Sequence, residues 1–361
     1  MRTNIYLNGR FIGWKVTGVG RAARELTPRL LALLENDGRF RGEILAPGNR
    51  PATALAAIQP RRNQSLAGGV LWEQILLPLR SRNGYLVSFS NTAPLALRRQ
   101  LVVVHDASVF AVPDNYSFAF RTWYQVALKV LLRRARSVVT DSAFSRDELS
   151  RYCGVPGERI AVIHCGCDHL DGVPADTTIL DRAGLARDGY VLAVGAPSRA
   201  KNLGVLLEAM ARLKRDGLKL ALVGEMERRV FNANRIDLPP WVSVLGGVSD
   251  GELKALYERA LCFAFPSRYE GFGLPPLEAM RCGCPTVVSS AASLPEVCGD
   301  AALYADPDDP ETLARHIGAL LDSEDMRRDY RARGLARAAR FSWDRAAAEF
   351  SELIRRAVAA A

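Results

Sequence analysis

Phe265-Pro266-Ser267-Arg268-Tyr269-Glu270-Gly271-Phe272-Gly273-Leu274-Pro275-Pro276-Leu277-Glu278 is the stretch from which the rest of this chain can be read. It follows the apolar run Leu261-Cys262-Phe263-Ala264, which has the length of a buried strand, so the whole reads as strand, glycine-bearing loop, helix. Gly271 and Gly273 let the loop backbone approach a ligand, and Pro275-Pro276 suit a first helical turn, where their missing N–H groups cost little. The amides of Phe272, Gly273 and Leu274 then face an anion. A helix N-terminus carries roughly half a positive charge, so a phosphate there needs few basic side chains. Glu270 in the loop and Glu278, expected in the first helical turn, point toward one pocket, where carboxylates grip sugar hydroxyls by accepting hydrogen bonds. Taken singly, the same glutamates also fit a solvated loop acid and a complement to the helix dipole.

The 361 residues suit two domains of doubly wound α/β size, and 48% hydrophobic content fills two cores. No run approaches the ~20 apolar residues that span a bilayer, and Met1-Arg2-Thr3-Asn4 lacks the apolar centre of a signal peptide, so a cytoplasmic protein is expected. Seven cysteines include Cys165-x-Cys167 and Cys282-x-Cys284, neither with zinc-site or thioredoxin spacing, which predicts buried reduced thiols and no metal site. The net charge of +9 fits an anionic ligand, an anionic membrane surface or nucleic acid without choosing among them.

Short apolar runs alternate with helical or turn-bearing segments along the chain, at 4–8, 43–46, 85–89, 101–105, 137–140 and 159–164. That alternation implies a parallel sheet, whose ligands sit beyond the carboxyl ends of the strands. His105-Asp106 falls at such an end; His105 either donates to a sugar hydroxyl, with Asp106 orienting it, or serves the core. Thr17-Gly18-Val19-Gly20-Arg21 opens a helix, and its amides suit either phosphate contact or a tight turn. Gly18-x-Gly20-x-x-Ala23 also satisfies the loose dinucleotide fingerprint, which raises an NAD-dependent oxidoreductase. Against that, the fingerprint does not follow its strand directly, and Glu43 begins the next strand where an acid should end it. The apolar and basic stretch 118–136, together with Leu71-Trp72-Glu73-Gln74-Ile75-Leu76-Leu77-Pro78, fits either a core helix with solvated arginines or a surface for a membrane or lipid-linked ligand.

Residues 166–188, rich in Asp, Gly and Pro at their centre, suit an interdomain connection. A second alternating unit begins at Tyr190-Val191-Leu192-Ala193-Val194-Gly195, and Ala196-Pro197-Ser198-Arg199-Ala200-Lys201-Asn202 leads into a helix over 203–214. Arg199 and Lys201 stand at a strand's carboxyl end, where they neutralise charge building on a departing nucleoside diphosphate. Strands follow at 218–223, ending in Gly224-Glu225-Met226, and at 242–248, where Val248 is placed to touch a base or to fill the core. Asp306-Pro307-Asp308-Asp309-Pro310 precedes a helical run and reads as turn and cap rather than metal site. Ser342 caps a last helix.

The spacing of Glu270 and Glu278 resembles the E-x7-E signature of the retaining glycosyltransferases of family 4. The Arg199/Lys201 pair, the Gly18/Gly20 loop and His105-Asp106 resemble their counterparts in that family; Asn202 stands where the family usually has glycine. The resemblance implies an α/β chain of GT-B fold, two Rossmann-like doubly wound domains facing across a cleft. Residues 1–165 would form the acceptor domain, 186–341 the nucleotide-sugar donor domain, and 342–361 a helix crossing back to the first. It implies a nucleotide-sugar donor, with Glu278 on the ribose, Glu270 on the sugar, and Arg199, Lys201, Gly18, Gly20 and the Gly271–Leu274 amides on the diphosphate, and neither cofactor nor metal. Leu71-Trp72-Glu73-Gln74 and Leu294-Pro295-Glu296-Val297 look like bacterial mannosyl- and rhamnosyltransferases of polysaccharide assembly, which makes GDP-mannose the expected donor and a glycan or polyprenyl-linked saccharide the expected acceptor. A peripheral position at the inner membrane face fits such an acceptor. The rival classes are the oxidoreductase and a non-catalytic protein binding nucleic acid or membrane through its basic surface.

Overall fold

The computed structural model describes residues 2–12, 17–47, 61–62, 69–196, 198–213, 215–224 and 238–360. Pro197, Lys214, Glu225 and Met226, which figure in the expectations above, lie outside them. The chain divides into two units, Met1–Gly166 with Ser342–Ala361, and Cys167–Phe341.

The first unit holds one parallel sheet in the order β3-β2-β1-β4-β5-β6-β7, from β1 (Thr3–Asn8), β2 (Phe40–Ala46), β3 (Arg61–Arg62), β4 (Gly84–Ser88), β5 (Gln100–Val103), β6 (Ser137–Thr140) and β7 (Ile160–Val162). The strands are rich in Val, Ile and Leu because both faces are covered, as parallel sheets require. Val102, Val104 and Val138 pack against Leu128, Leu131 and Leu132 of the helix Phe118–Arg134 and against Leu149 of the helix Ala143–Cys153. Strand order reverses between β1 and β4, the position where open α/β sheets take ligands. The last helix, Trp343–Ala359, starts at Ser342, whose hydroxyl accepts the Arg345 N–H at 3.2 Å. It lies on the helix Gly18–Asn36 through Arg29–Asp344 at 2.8 Å and Arg355–Asp37 at 2.6 Å, and buries Trp343 and Phe350, the latter edge-on to Phe89 at 5.4 Å.

The second unit repeats the plan with six parallel strands in the order β10-β9-β8-β11-β12-β13. They are β8 (Tyr190–Val194), β9 (Lys219–Val223), β10 (Val242–Gly246), β11 (Cys262–Phe265), β12 (Thr286–Ser289) and β13 (Ala302–Ala305). Its core joins Val191, Leu220, Leu222, Ala264 and Val287 to Leu206, Ala209 and Met210 of the helix Leu203–Leu213 and to Leu313 and Ile317 of the helix Pro310–Asp322. β12 and β13 are four-residue runs that periodicity did not single out.

Residues 166–188 are not a bare connection. They include the helix Thr178–Ala183, closed by Gly184 in the left-handed region, and pack on the helix Asp250–Arg259 through Asp176 N to Gly251 O at 3.0 Å and Arg182 to Glu252 at 2.8 Å. Leu170, Ile179 and Leu185 are buried there, and their irregular spacing among Asp, Gly and Pro shows no period. All seven cysteines are free thiols, with Cys282 half-buried and the others buried, and burial pushes the Cys153 thiol up to about 11 and Cys262 to about 12.

Gly166 fixes where the last helix begins, since a Cβ on it would stand 2.2 Å from the backbone nitrogen of Trp343. Gly166→Ala should therefore lower the melting temperature by several degrees, whereas Gly204→Ala, at a helical position where a Cβ meets nothing within 4 Å, should leave it unchanged or raise it. A thermal melt of both variants checks the pair; equal melting would show that the Gly166 contact constrains nothing.

Candidate active site

Residues 265–277 fold as strand end, loop and helix start, as the sequence predicts. β11 ends at Phe265, the loop runs to Gly273 with φ at +98°, and the helix Leu274–Arg281 begins there with its two prolines in the first turn. Gly273 is required twice over: its φ is left-handed, and a Cβ would approach Leu294 Cδ2 to 2.7 Å. The buried Ser293 hydroxyl closes the loop by donating to Glu270 O at 3.0 Å and Phe272 O at 2.8 Å. Phe272 itself is buried, edge-on to Phe341 at 5.9 Å. Gly271 and Leu274 are half-buried beside it. Ser293 was not anticipated, because a serine before Leu-Pro-Glu reads as an ordinary helix cap.

Two of the expected residues meet directly. Lys201 Nζ lies 2.6 Å from Glu270 Oε1, with side chains 29% and 14% exposed, and the same ammonium stands 4.6 Å over the Phe265 ring. The lysine stem runs along Gly195, where φ is +136°. Asn202 adopts φ +56°, which accounts for the glycine usual there; its Nδ2 donates to Pro266 O at 3.1 Å and its Oδ1 accepts from Arg268 at 3.2 Å. It thereby ties the cationic loop to the glycine loop. Arg199 is exposed in the same turn, and Val248 is half-buried between β10 and the cap Ser249.

Glu278 departs from expectation. It is the fifth residue of its helix, not part of the first turn, and is only 6% exposed. The Tyr257 hydroxyl donates to its Oε2 at 3.0 Å, and His169 Nε2 lies 3.0 Å from its Oε1. Burial, then the neighbouring Glu278 charge, raises the Tyr257 phenol well above its ordinary value, so Tyr257 is a fixed donor. A carboxylate has roughly four lone-pair sites, so two contacts orient it without exhausting it. No local sequence signal marks Tyr257 or His169 as its partners.

In the first unit, His105 is engaged on both sides. Nε2 lies 2.9 Å from Phe89 O, a pure acceptor, so that nitrogen carries a proton; Nδ1 lies 2.6 Å from Asp141 Oδ2. Burial opposes the charged form, but the Asp141 charge and hydrogen bond, followed by Phe89 O and Asp106, raise His105 to about 9. It is a buried imidazolium whose two N–H groups are both given to protein, which leaves none for a sugar hydroxyl in this arrangement. Asp106 does not orient it: Asp106 Oδ1 accepts from Ser108 N at 2.8 Å, and Asp141 takes the orienting role. Gly18 and Gly20 lie in the first turn of the helix Gly18–Asn36, where Gly20 N–H donates to Thr17 Oγ1 at 3.3 Å. That amide serves the cap; around Gly18 a Cβ would meet nothing within 4 Å. Asp309, as expected of a cap, accepts from Glu311 N and Thr312 N at 3.0 Å.

The helical stretch 69–81 and the helix Phe118–Arg134 combine the two readings offered for them. Trp72, Glu73 and Leu77 are buried, as are Leu128, Leu131 and Leu132, whereas Leu71, Ile75, Leu79, Phe118 and Val126 are exposed. Among the described residues no helix is long and apolar enough to cross a membrane.

Residues 179–337 match the family described as glycosyl transferases group 1, and residues 85–169 match glycosyltransferase family 4. The chain is 37% identical, over 92% of its length and 94% of the relative's, to O-antigen chain mannosyltransferase B of Escherichia coli. It is 30% identical over 73% of each chain to O-antigen chain mannosyltransferase RfbU of Salmonella typhimurium. Its fold matches Anabaena HepE, solved with UDP and glucose, at a TM-score of 0.74 and 19% identity over the whole of both chains. Sucrose-phosphate synthase from Thermosynechococcus elongatus matches at 0.77 and 21%, again over the whole of both. Two parallel doubly wound sheets and a glycine loop with paired glutamate and lysine define a sugar-transferring enzyme of the GT-B fold. The chain belongs to the family 4, group 1 glycosyltransferases. Neither the oxidoreductase nor the non-catalytic reading survives this; Glu43, the misplaced acid of the first, lies inside β2.

The raised His105 value carries a sign that can be measured. A group whose folded value, about 9, exceeds its ordinary 6.5 contributes stability fully present below pH 6.5 and lost as pH rises through 9. Wild type should therefore lose more stability than His105→Gln between pH 6.5 and 9.5, read as melting temperature across that range. Parallel pH profiles would show that the imidazole is neutral in the fold.

Proposed function

We propose that the protein transfers mannose from GDP-mannose, with retention at the anomeric carbon, to a glycan or polyprenyl-linked saccharide in bacterial polysaccharide assembly. The observation that carries the reading is the Lys201–Glu270 pair at the N-terminus of the helix Leu274–Arg281, in a chain 37% identical to an O-antigen mannosyltransferase. The second unit takes the donor. Glu278, oriented by Tyr257 and His169, holds the ribose; Val248 borders the base; Glu270 accepts from the sugar hydroxyls. Lys201, Arg199 and the amides at 271–274 receive the diphosphate. In the transfer step the bond from C1 to the phosphate oxygen breaks and a bond from C1 to the acceptor oxygen forms on the same face. The acceptor's proton leaves to the departing phosphate, so no protein nucleophile is needed. Arg199 and Lys201 supply the positive charge that this phosphate develops against.

Lys201 and Glu270 neutralise each other, so donor must draw the ammonium toward phosphate and leave the carboxylate to the sugar. Glu270→Gln should cut turnover at least about tenfold, on the order of 1.4 kcal/mol of transition-state stabilisation, while binding GDP more tightly because Lys201 loses its counter-charge. Lys201→Ala should cut turnover similarly and weaken GDP. Glu278→Ala should chiefly raise the donor's KM, since a ribose contact exists in ground and transition states alike. Steady-state kinetics and calorimetry with GDP check all three; near-wild-type turnover in both Glu270→Gln and Lys201→Ala would defeat the assignment.

Donor hydrolysis measured with GDP-mannose, GDP-fucose, UDP-glucose and dTDP-rhamnose tests the sugar, GDP-mannose being expected to react fastest. The same assay with EDTA should retain activity, the two cations holding the diphosphate; loss on chelation with recovery in Mg²⁺ or Mn²⁺ would overturn the metal-independent reading. Exposed Leu71, Ile75, Leu79 and Phe118, with Arg80 exposed beside them, support peripheral contact with an anionic membrane face. Co-sedimentation with phosphatidylglycerol vesicles, weakened by salt, is the expected result.

A further inference from the structure

A cavity of about 470 Å³ in the Cys167–Phe341 unit takes no part in the donor chemistry. Arg187, Arg259 and Gly283, which line it, each stand three residues ahead of a strand, β8, β11 and β12 respectively. It therefore opens at the amino edge of the second sheet, whereas Lys201 and Glu270 follow the carboxyl ends of β8 and β11. A cavity of that volume takes a small organic molecule rather than a bare ion.

Its charge is one-sided. Five lining side chains are cationic and two, Asp171 and Glu258, are acidic. Asp171 is already matched, since Arg281 gives it Nε at 2.9 Å and Nη2 besides, a closed bidentate pair that serves as wall. Lys254, on the helix Asp250–Arg259, donates to Leu170 O at 3.2 Å and Val173 O at 2.9 Å, neutral carbonyls that leave one of three ammonium protons and the whole charge. Arg331, on the helix Glu324–Ala338, gives Nε to Gly283 O at 2.8 Å. Gly283 has φ +71°, and a Cβ there would press on Arg331 Cγ at 3.3 Å, so the glycine makes room for the arginine stem. Arg259 is half-buried, and among the described residues its side chain has no hydrogen-bonding partner. None of Lys254, Arg259 and Arg331 forms an ion pair among those residues.

Like charges gathered in a cleft repel one another and focus a positive field outward, which a bound anion relieves. The guanidinium groups of Arg259 and Arg331 offer planar forks suited to phosphate oxygens, and Glu258 can accept from a hydroxyl. Among the exposed large apolar residues described, only Leu335 lines the cavity. The rim thus lacks the apolar anchors that acyl chains would need, which favours a soluble ligand over a lipid headgroup.

We propose that this cavity binds a small soluble molecule carrying a phosphate or diphosphate, held by Lys254, Arg259 and Arg331, with Glu258 accepting from a hydroxyl of its uncharged part. The site is separate from the donor loop and does not rest on the transferase reading.

Calorimetric titration of inorganic pyrophosphate into the full chain saturated with GDP, and into Lys201→Ala without GDP, isolates the cavity from the donor loop. One pyrophosphate should bind per chain in both. Arg259→Gln and Arg331→Gln should each weaken it at least about tenfold. Arg328→Gln, which removes a 71% exposed charge from the same helix as Arg331, should stay within about twofold of wild type. Absence of binding in both titrations overturns the site. So does unchanged affinity in Arg259→Gln, whose side chain ties no other element in place, and so does equal weakening by all three variants, which would reduce the effect to net charge. Sedimentation with phosphatidylglycerol vesicles should not differ between Arg259→Gln and wild type; loss there with pyrophosphate affinity intact would give the cavity to a lipid headgroup and overturn the soluble ligand. A wild type that binds no GDP counts against the transferase reading alone, because the Lys201→Ala titration still reads the cavity.

Discussion

A parallel strand must be followed by a crossover before the next can pair with it, and that constraint places every functional feature of this chain. All strands of a unit run the same way, so their carboxyl ends share one edge, and the loops on that edge are free of the ladder. In the second unit those loops carry Lys201 after β8, Val248 beyond β10 and Glu270 after β11; in the first they carry Arg10 after β1 and His105 after β5. The thirteen short strands among the described residues thus fix where polar side chains congregate, before any of those side chains interacts.

The two edges use charge differently. In the second unit the Lys201–Glu270 pair is partly exposed and adjoins a helix N-terminus, so its partners can be exchanged. In the first unit Glu73 and Asp141 are nearly sealed, and each holds a cation, Arg10 or the His105 imidazolium. Breaking a sealed pair strands a charge in low dielectric, a loss of several kcal/mol, so these cations are fixed in place. One edge carries a pair open to exchange, the other carries pairs closed to it.

The sequence made the fold legible because both sheets are written in runs of Val, Leu and Ile separated by turn residues, and because the 265–278 stretch has its loop, glycines and prolines in an order only one local structure satisfies. It also singled out Lys201 and Glu270 by type and strand-end position, and the structure brings the two together at 2.6 Å. It could not reveal that Asp141 rather than Asp106 pairs with His105, since 36 residues separate them and only the β5–β6 pairing brings them together. Asn202 looked like a minor exchange for glycine; its left-handed backbone and its bonds to Pro266 and Arg268 appear only once the two loops are adjacent. Glu73 read as part of an apolar stretch because a π-helical turn shifts the face on which it lies.

The first unit is discontinuous in sequence. Trp343 and Phe350 belong to its core, yet the 175 residues of the second unit, 167–341, come between them and the strands they cover. On the ribosome the order of completion is therefore inverted. Residues 167–341 have all their own parts while the first sheet, made earlier, still lacks the helix that shields Phe89 and the helix Gly18–Asn36. At the usual rate of about 5–20 residues per second, that surface waits roughly 10 to 40 seconds for its cover. The nascent first unit is the interval's natural client for chaperones, and a truncation before residue 343 would leave it permanently in that unfinished state.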